Sequence, residues 1–243
     1  MSFSIVTYKR GSDMLAPPEL KQIHPLGKSP VITLKPTPTS EPVVIAESAL
    51  ICEYLCEYFA QGLVPKRYKE GQEGKCGGET EQWLRYRFFM HYAEGSLMSL
   101  LLIQLIMDSA FPPFSLYQRH HTKHRMPGIK ESAVPFFIKP ITRGVATKVE
   151  DLFLNKNFVT HWSFLESQLV TSPDGGEYLC GKELTAADIM MSYPLTSRKE
   201  KIDRAQYPKL VAYIDKLEGS EAYEAAAKKI EEVTGEPLNM KFK

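Results

Sequence analysis

Runs able to form β-strands are confined to the first 46 residues, and beyond Ala46 every regular pattern of apolar residues is helical. That division predicts a small α/β unit followed by an all-α one. Ser2 to Tyr8 sets Phe3, Ile5 and Thr7 against Ser4, Val6 and Tyr8, the alternation of a short strand. Ala16 to Ile23 places prolines in a first helical turn, where their missing N–H groups cost nothing, and stops at His24-Pro25. Val31–Leu34 and Val43–Ala46 are β-rich runs joined by KPTPTSEP, so an antiparallel pair is expected. From Ser48, Ile51, Leu55, Tyr58 and Phe59 fall along one side of a helix.

Residues 66–80 combine glycine and charge with almost no apolar content, which reads as an exposed linker. The expected domains are therefore 1–65, linker 66–80, and 81–243. The second opens with a helix over about 81–107, interrupted only by Gly95. Prolines around a basic RHHTKHR run make 108–135 an irregular loop, two helical stretches follow over roughly 136–170, and a last helix runs from Tyr207-Pro208 to Val233.

A formal net charge of +1 with 43% apolar residues is the balance of an ordinary globular chain and points to no nucleic-acid partner. Cys52, Cys56, Cys76 and Cys180 lack disulfide-framework density and metal-ligand spacing, which suits a reducing compartment. Cys52 and Cys56 lie four apart on one helical face, where buried reduced thiols are the common outcome. His120, His121 and His124 have no acidic or thiol partner nearby in sequence, so a solvated basic loop is expected and no metal. The N-terminus has no secretory pattern, and the apolar run Leu97–Met107 is too short for a bilayer, so no transmembrane segment is expected.

The most informative local signal is GKELTAADI, residues 181–189. Thr185 can start a helix while Asp188, three residues on, reaches back to its amide as a capping box, and Leu184 can meet Ile189 as a hydrophobic staple. By itself this establishes a helix start and no function. Its longer wording, GKELTAADIMMSYPL, resembles the capping-box segment of glutathione transferases. APPELKQIHPLGKSPVITL resembles their helix, cis-proline turn and strand; VVIAESALICEYL resembles their next strand and Glu-Ser helix start; and YPKLVAYIDKLEGSEAYEAA resembles their last helix. The AP-P-E-L…IHPLG-SP wording and YAEGSL, residues 92–97, resemble fungal transferases of the yeast endoplasmic-reticulum-associated type. The chain is similar to that superfamily over nearly its whole length.

The resemblance implies a thioredoxin-like N-terminal domain and a helical C-terminal domain with glutathione between them. It gives a cis Pro30 and the Ser29 backbone the role of pairing with the cysteinyl part of glutathione. Glu47 and Ser48 receive the γ-glutamyl end. A helix start bearing a serine also suits a carboxylate on physical grounds, and a simple cap is the plain alternative. Lys28 falls near the glycine carboxylate, with a solvated surface charge as its alternative, and His24 reads as structural. Tyr86, Tyr92 and Ser96 lie on the helix that resembles the electrophile-facing one, with core or dimer packing equally open to them.

Against the family pattern, the chain begins at the second strand, so the first strand and helix, which carry the usual catalytic Tyr, Ser or Cys, have no counterpart here. Their absence would leave an unpaired sheet edge and an uncovered apolar face. Tyr8 is the only early hydroxyl of the right kind, and it lies on the wrong strand. The implied function is conjugation of the glutathione thiol to a small apolar electrophile, or peroxide reduction. A non-catalytic glutathione-binding, ligand-binding or protein-interaction member is the alternative, and a shortened, poorly folding chain a third. The resemblance further implies a homodimer, in the cytoplasm or peripheral to the endoplasmic reticulum.

Overall fold

The computed structural model of the chain describes residues 3–11, 15–37, 39–110, 144 and 147–238. Its first elements are a single helical turn, α1 (Leu20–Ile23), and two strands, β1 (Val31–Leu34) and β2 (Val43–Ala46). The strands pair antiparallel with Val31 opposite Ala46 and Leu34 opposite Val43. Helix α2 (Ser48–Phe59) follows at once and packs on both strands. A two-stranded ribbon is marginal alone, so α2, with Ile51 and Cys56 buried, is what holds it.

Phe3 to Tyr8 forms no strand. The alternation is there, but a strand exists only where a neighbour accepts and donates ladder bonds, and the described sheet holds β1 and β2 alone. Phe3, Ile5 and Val6 are accordingly exposed, as are Val43, Val44 and Leu50.

The expected linker is an ordered loop. Tyr68 and Glu79 form a β-bridge, the Lys69 amide donates to the Gly78 carbonyl at 2.9 Å and the Thr80 amide to the Arg67 carbonyl at 2.8 Å. The Arg67 guanidinium lies 4.7 Å from the ring centres of both Tyr68 and Trp83.

Thr80 caps α3 (Glu81–Tyr92) through its hydroxyl, which accepts from the Trp83 amide at 3.2 Å. A wider π turn, Ala93–Met98, carries the expected interruption at Gly95 without ending the helix, which continues as α4 (Ser99–Ala110). The apolar run Leu97–Met107 is thus part of a continuous helix, Glu81–Met107, of 27 residues, long and apolar enough by length and composition to cross a membrane, with 44% of its apolar window buried. The basic run with His120, His121 and His124 lies outside the described residues.

A second π turn, Glu150–Leu154, leads into α5 (Asn155–Val170), followed by α6 (Ala186–Thr196), α7 (Pro208–Glu218) and α8 (Glu221–Thr234). The expected single last helix is two, because Gly219 and Ser220 break it and the Ser220 hydroxyl caps the second, accepting from the Tyr223 amide at 3.3 Å. The core joins Phe89, Ala93, Leu97 and Leu101 of the long helix to Leu165 of α5, Met191 and Leu195 of α6 and Leu210 and Ile214 of α7. Arg85 ties α3 to the end of α5 and the loop beyond it, donating to the carbonyls of Gln168 (2.9 Å), Thr171 (2.8 Å) and Leu179 (3.3 Å). Glu166 of α5 accepts from the Lys209 and Leu210 amides, filling the open start of α7.

Asp188 is fully buried at the start of α6. One carboxylate oxygen accepts from the Thr185 amide and hydroxyl, each at 2.8 Å, and the other from the Leu179 amide at 3.1 Å and the Tyr213 hydroxyl at 2.8 Å. Leu184 packs on the core, whereas Ile189 is 44% exposed, so the staple is one-sided.

Candidate functional site

Between α1 and β1 the chain doubles back tightly. The His24 carbonyl accepts from the Gly27 amide at 2.8 Å, and His24 Nδ1 accepts from the Leu26 amide at 3.4 Å, so His24 shapes the turn. Gly27 is buried with φ +58°, and a Cβ there would stand 2.6 Å from Lys21 Cγ. The turn delivers Lys28, Ser29 and Pro30, all exposed, to the head of β1, where the Ser29–Pro30 peptide is cis.

The strand register decides what lies beside that peptide. Val31 is opposite Ala46, so Pro30 directly precedes, and Glu47 directly follows, the last paired residues at that end of the ladder. Antiparallel partners lie about 4.5–5.5 Å apart at Cα, so Pro30 and Glu47 both start from the closely spaced Val31–Ala46 pair.

Glu47, at the N-cap position of α2, holds φ 74° and ψ 121°, a conformation an L side chain rarely takes and one that costs on the order of 1–3 kcal/mol. No side chain caps α2, and Ser48 occupies its first turn half-buried. The positive end of a 12-residue helix is therefore open to an anion beside the exposed Glu47 carboxylate. Across from it, the Glu94 carboxyl in the π turn is pushed upward by burial and then by the negative charge of Glu47. Glu94 in turn raises Tyr193 of α6, whose shift comes first from burial, and Arg10 opposes it.

The three residues expected near an electrophile separate. Tyr86 is buried in the core, its hydroxyl pushed up to about 12 by burial and then by neighbouring Cys56 and Glu53. Tyr92 and Ser96 instead line a groove of about 660 Å³ together with Arg87, Phe88, His91, Gly95, Thr160, His161 and Phe164. Lys28, Ser29, Pro30, Glu47 and Ser48 do not border that groove.

Sequence reading passed over Glu94 and His161. Glu94 lies within YAEGSL, whose resemblance assigns no role to the glutamate. For the groove a signal existed: Phe88, His91, Tyr92 and Gly95 recur at helical spacing along α3 and its π turn.

Burial raises the thiols of Cys52, Cys56 and Cys180, the last to about 12. All four cysteines are free, and among the described residues no group of three or more His, Cys, Asp or Glu could hold a metal ion.

Residues 1–58 match the family model described as the N-terminal domain of glutathione S-transferases, and residues 128–225 that described as the C-terminal domain. The chain is 28% identical over 231 residues to glutathione S-transferase 1 of Saccharomyces cerevisiae, covering 94% of this chain and 85% of that protein. Its fold is similar to a glutathione S-transferase from Actinobacillus pleuropneumoniae at a TM-score of 0.54 and 22% identity, over 96% of this chain and 81% of that one. It is also similar to a glutathione transferase homologue from Sulfitobacter, solved with bound glutathione, at a TM-score of 0.52 and 15% identity, over 88% and 79% of the two chains.

Proposed function

Because the chain belongs to the glutathione S-transferase superfamily, with a thioredoxin-like N-terminal region and a helical C-terminal region, we propose that it binds glutathione between Ser29-Pro30 and Glu47-Ser48. The strand register supports this reading, since the ladder ends with Val31, next to Pro30, opposite Ala46, two residues before the uncapped helix α2 begins. The Ser29 backbone would pair with the cysteinyl residue as a short strand addition. The γ-glutamyl carboxylate would take the first-turn N–H groups of α2 and the Ser48 hydroxyl. Its ammonium would take Glu47, where the nearby charge of Glu94 deepens the negative potential. Lys28, exposed beside Ser29, would meet the glycine carboxylate.

The reaction proposed is attack of the bound thiolate on a small apolar electrophile, or on a peroxide. A thiol titrates near pH 8.5 and only its thiolate attacks, so the site must favour the charged form. The electrophile would approach along the π turn that carries Glu94, beside Glu47, whereas Tyr86 in the core and Tyr92 and Ser96 on their separate groove lie off that path. The division into 1–65, 66–80 and 81–243, and assembly as a homodimer, belong to the same proposal.

A non-catalytic binder is the second reading, and one observation favours it. The cysteines and tyrosines whose protonation the fold shifts, Cys52, Cys56, Cys180, Tyr86, Tyr92, Tyr193, Tyr213 and Tyr223, all shift upward, away from a ready thiolate or an acidic hydroxyl donor. Retention on immobilised glutathione combined with conjugation of 1-chloro-2,4-dinitrobenzene separates the readings. Retention with turnover supports the transferase and retention without turnover the binder, while a folded protein that is not retained defeats both.

A further inference from the structure

Phe3 to Tyr8 has the composition of a strand and none of its bonds. Phe3, Ile5, Val6, Thr7 and Tyr8 all favour extended chain, and no glycine, proline or charge interrupts the run. No backbone hydrogen bond joins it to another described residue. Phe3 and Val6, on opposite faces of the alternation, are 66% and 69% exposed, so neither face is packed.

The matching edge belongs to β2. One side of that strand is taken by β1, and no described strand pairs with the other. Val43 and Val44, successive residues on opposite faces, are both exposed, and the strand carries no charge. A bare apolar edge of this kind is a template for a further strand. The charges lie just beyond the two runs and are of opposite sign: the exposed Lys9 follows Phe3–Tyr8, and the exposed Glu41 precedes β2.

We propose that two copies of the chain exchange these segments, Phe3–Tyr8 of each lying antiparallel along the outer edge of β2 in the other. Setting Lys9 beside Glu41 pairs Val6 with Val44 and Ile5 with Ile45, and the opposite charges favour that register over its neighbours. Six residues extend about 20 Å, enough to run the length of β2. Each copy gives one strand and receives one, so the assembly closes as a symmetric dimer. A two-stranded ribbon is marginal, and the third strand steadies the one that leads into α2. The inference rests on the homodimer part of the proposed function, to which it gives an interface, and not on the glutathione site.

Analytical ultracentrifugation of the full chain over a series of concentrations should show a monomer–dimer equilibrium. Ile5→Pro removes an N–H and fixes φ at a residue with no backbone bond in its own chain, so it should raise the dimer dissociation constant about tenfold or more while the melting temperature of the dilute monomer holds. Lys9→Glu should weaken the dimer, and adding Glu41→Lys should restore it. Val6→Cys combined with Val44→Cys should give, on mild oxidation, a disulfide-linked dimer absent from the parent and from either single variant, since directly opposed residues stand within disulfide reach. A chain that stays monomeric at every concentration overturns this inference and the homodimer together. A dimer indifferent to Ile5→Pro, one that Lys9→Glu weakens without rescue by Glu41→Lys, or one that forms no such disulfide overturns the exchange alone, because another face would then hold the copies. Growth beyond a dimer would overturn the closed exchange as well.

Discussion

The Tyr92 hydroxyl and His161 Nδ1 share a hydrogen bond that joins two helices 69 residues apart in sequence. The long helix contributes Tyr92 from the end of α3, and α5 contributes His161 from its second turn, so the bond fixes the spacing of the groove walls.

Burial of His161 makes stability depend on pH. Burial lowers the His161 pKa below its usual value of 6.5, so the folded state favours the neutral ring. The unfolded chain takes up the proton first as pH falls, and stability should decline from about pH 6.5 downward until the folded ring also titrates. Urea unfolding of the parent and His161→Gln across pH 5–8 checks this, and a variant with the same slope as the parent would refute it.

Asp188 holds together the start of α6, the Leu179 loop and α7. Asp188→Ala would leave the Leu179 and Thr185 amides and the Tyr213 hydroxyl buried without their acceptor. At roughly 1–3 kcal/mol for each stranded donor, the loss should be at least about 3 kcal/mol. Thr185→Ala should cost only about 1 kcal/mol, the worth of one cap. Denaturant midpoints of the two variants should fall in that order.

Gly27 closes the turn that carries Lys28 and Ser29 of the proposed glutathione site. With φ +58° and Lys21 Cγ in the way, Gly27→Ala should destabilise by about 1–2 kcal/mol, the cost of a left-handed conformation for an L residue. It should also weaken retention on immobilised glutathione, because the turn it closes aims Lys28 and Ser29. Normal retention would detach the turn from the site.

Ser48→Ala should cut glutathione affinity about tenfold or more, since a hydrogen bond to a charged group is worth about 1.5–3 kcal/mol and each 1.4 kcal/mol is a factor of ten. The melting temperature should barely move, because no side chain caps α2 in the folded protein. Calorimetric titration with glutathione measures the first effect and a thermal melt the second.

Local pattern sufficed for β1, β2, α2, the long helix and the Thr185–Asp188 start of α6, because each is set by residues close in sequence. It misread Phe3–Tyr8, where alternation was present but no strand lay alongside, and it merged α7 with α8 across a single glycine-serine break. The wording around Ser29 and Glu47 raised the site as a candidate. The pairing of Val31 with Ala46, next to Pro30 and Glu47, and the positive φ of Glu47 left no trace in the sequence.

The sequence by itself determined which segments could be helix or strand, where the chain turns and which family it resembles, since these rest on side-chain periodicity and on residue types at fixed spacings. Only the tertiary structure decided that Tyr86 enters the core while Tyr92 and Ser96 open onto a groove, and that His161 comes to face Tyr92. Such outcomes depend on how separate helices pack, and packing is settled by contacts between residues far apart in sequence, which local periodicity does not encode.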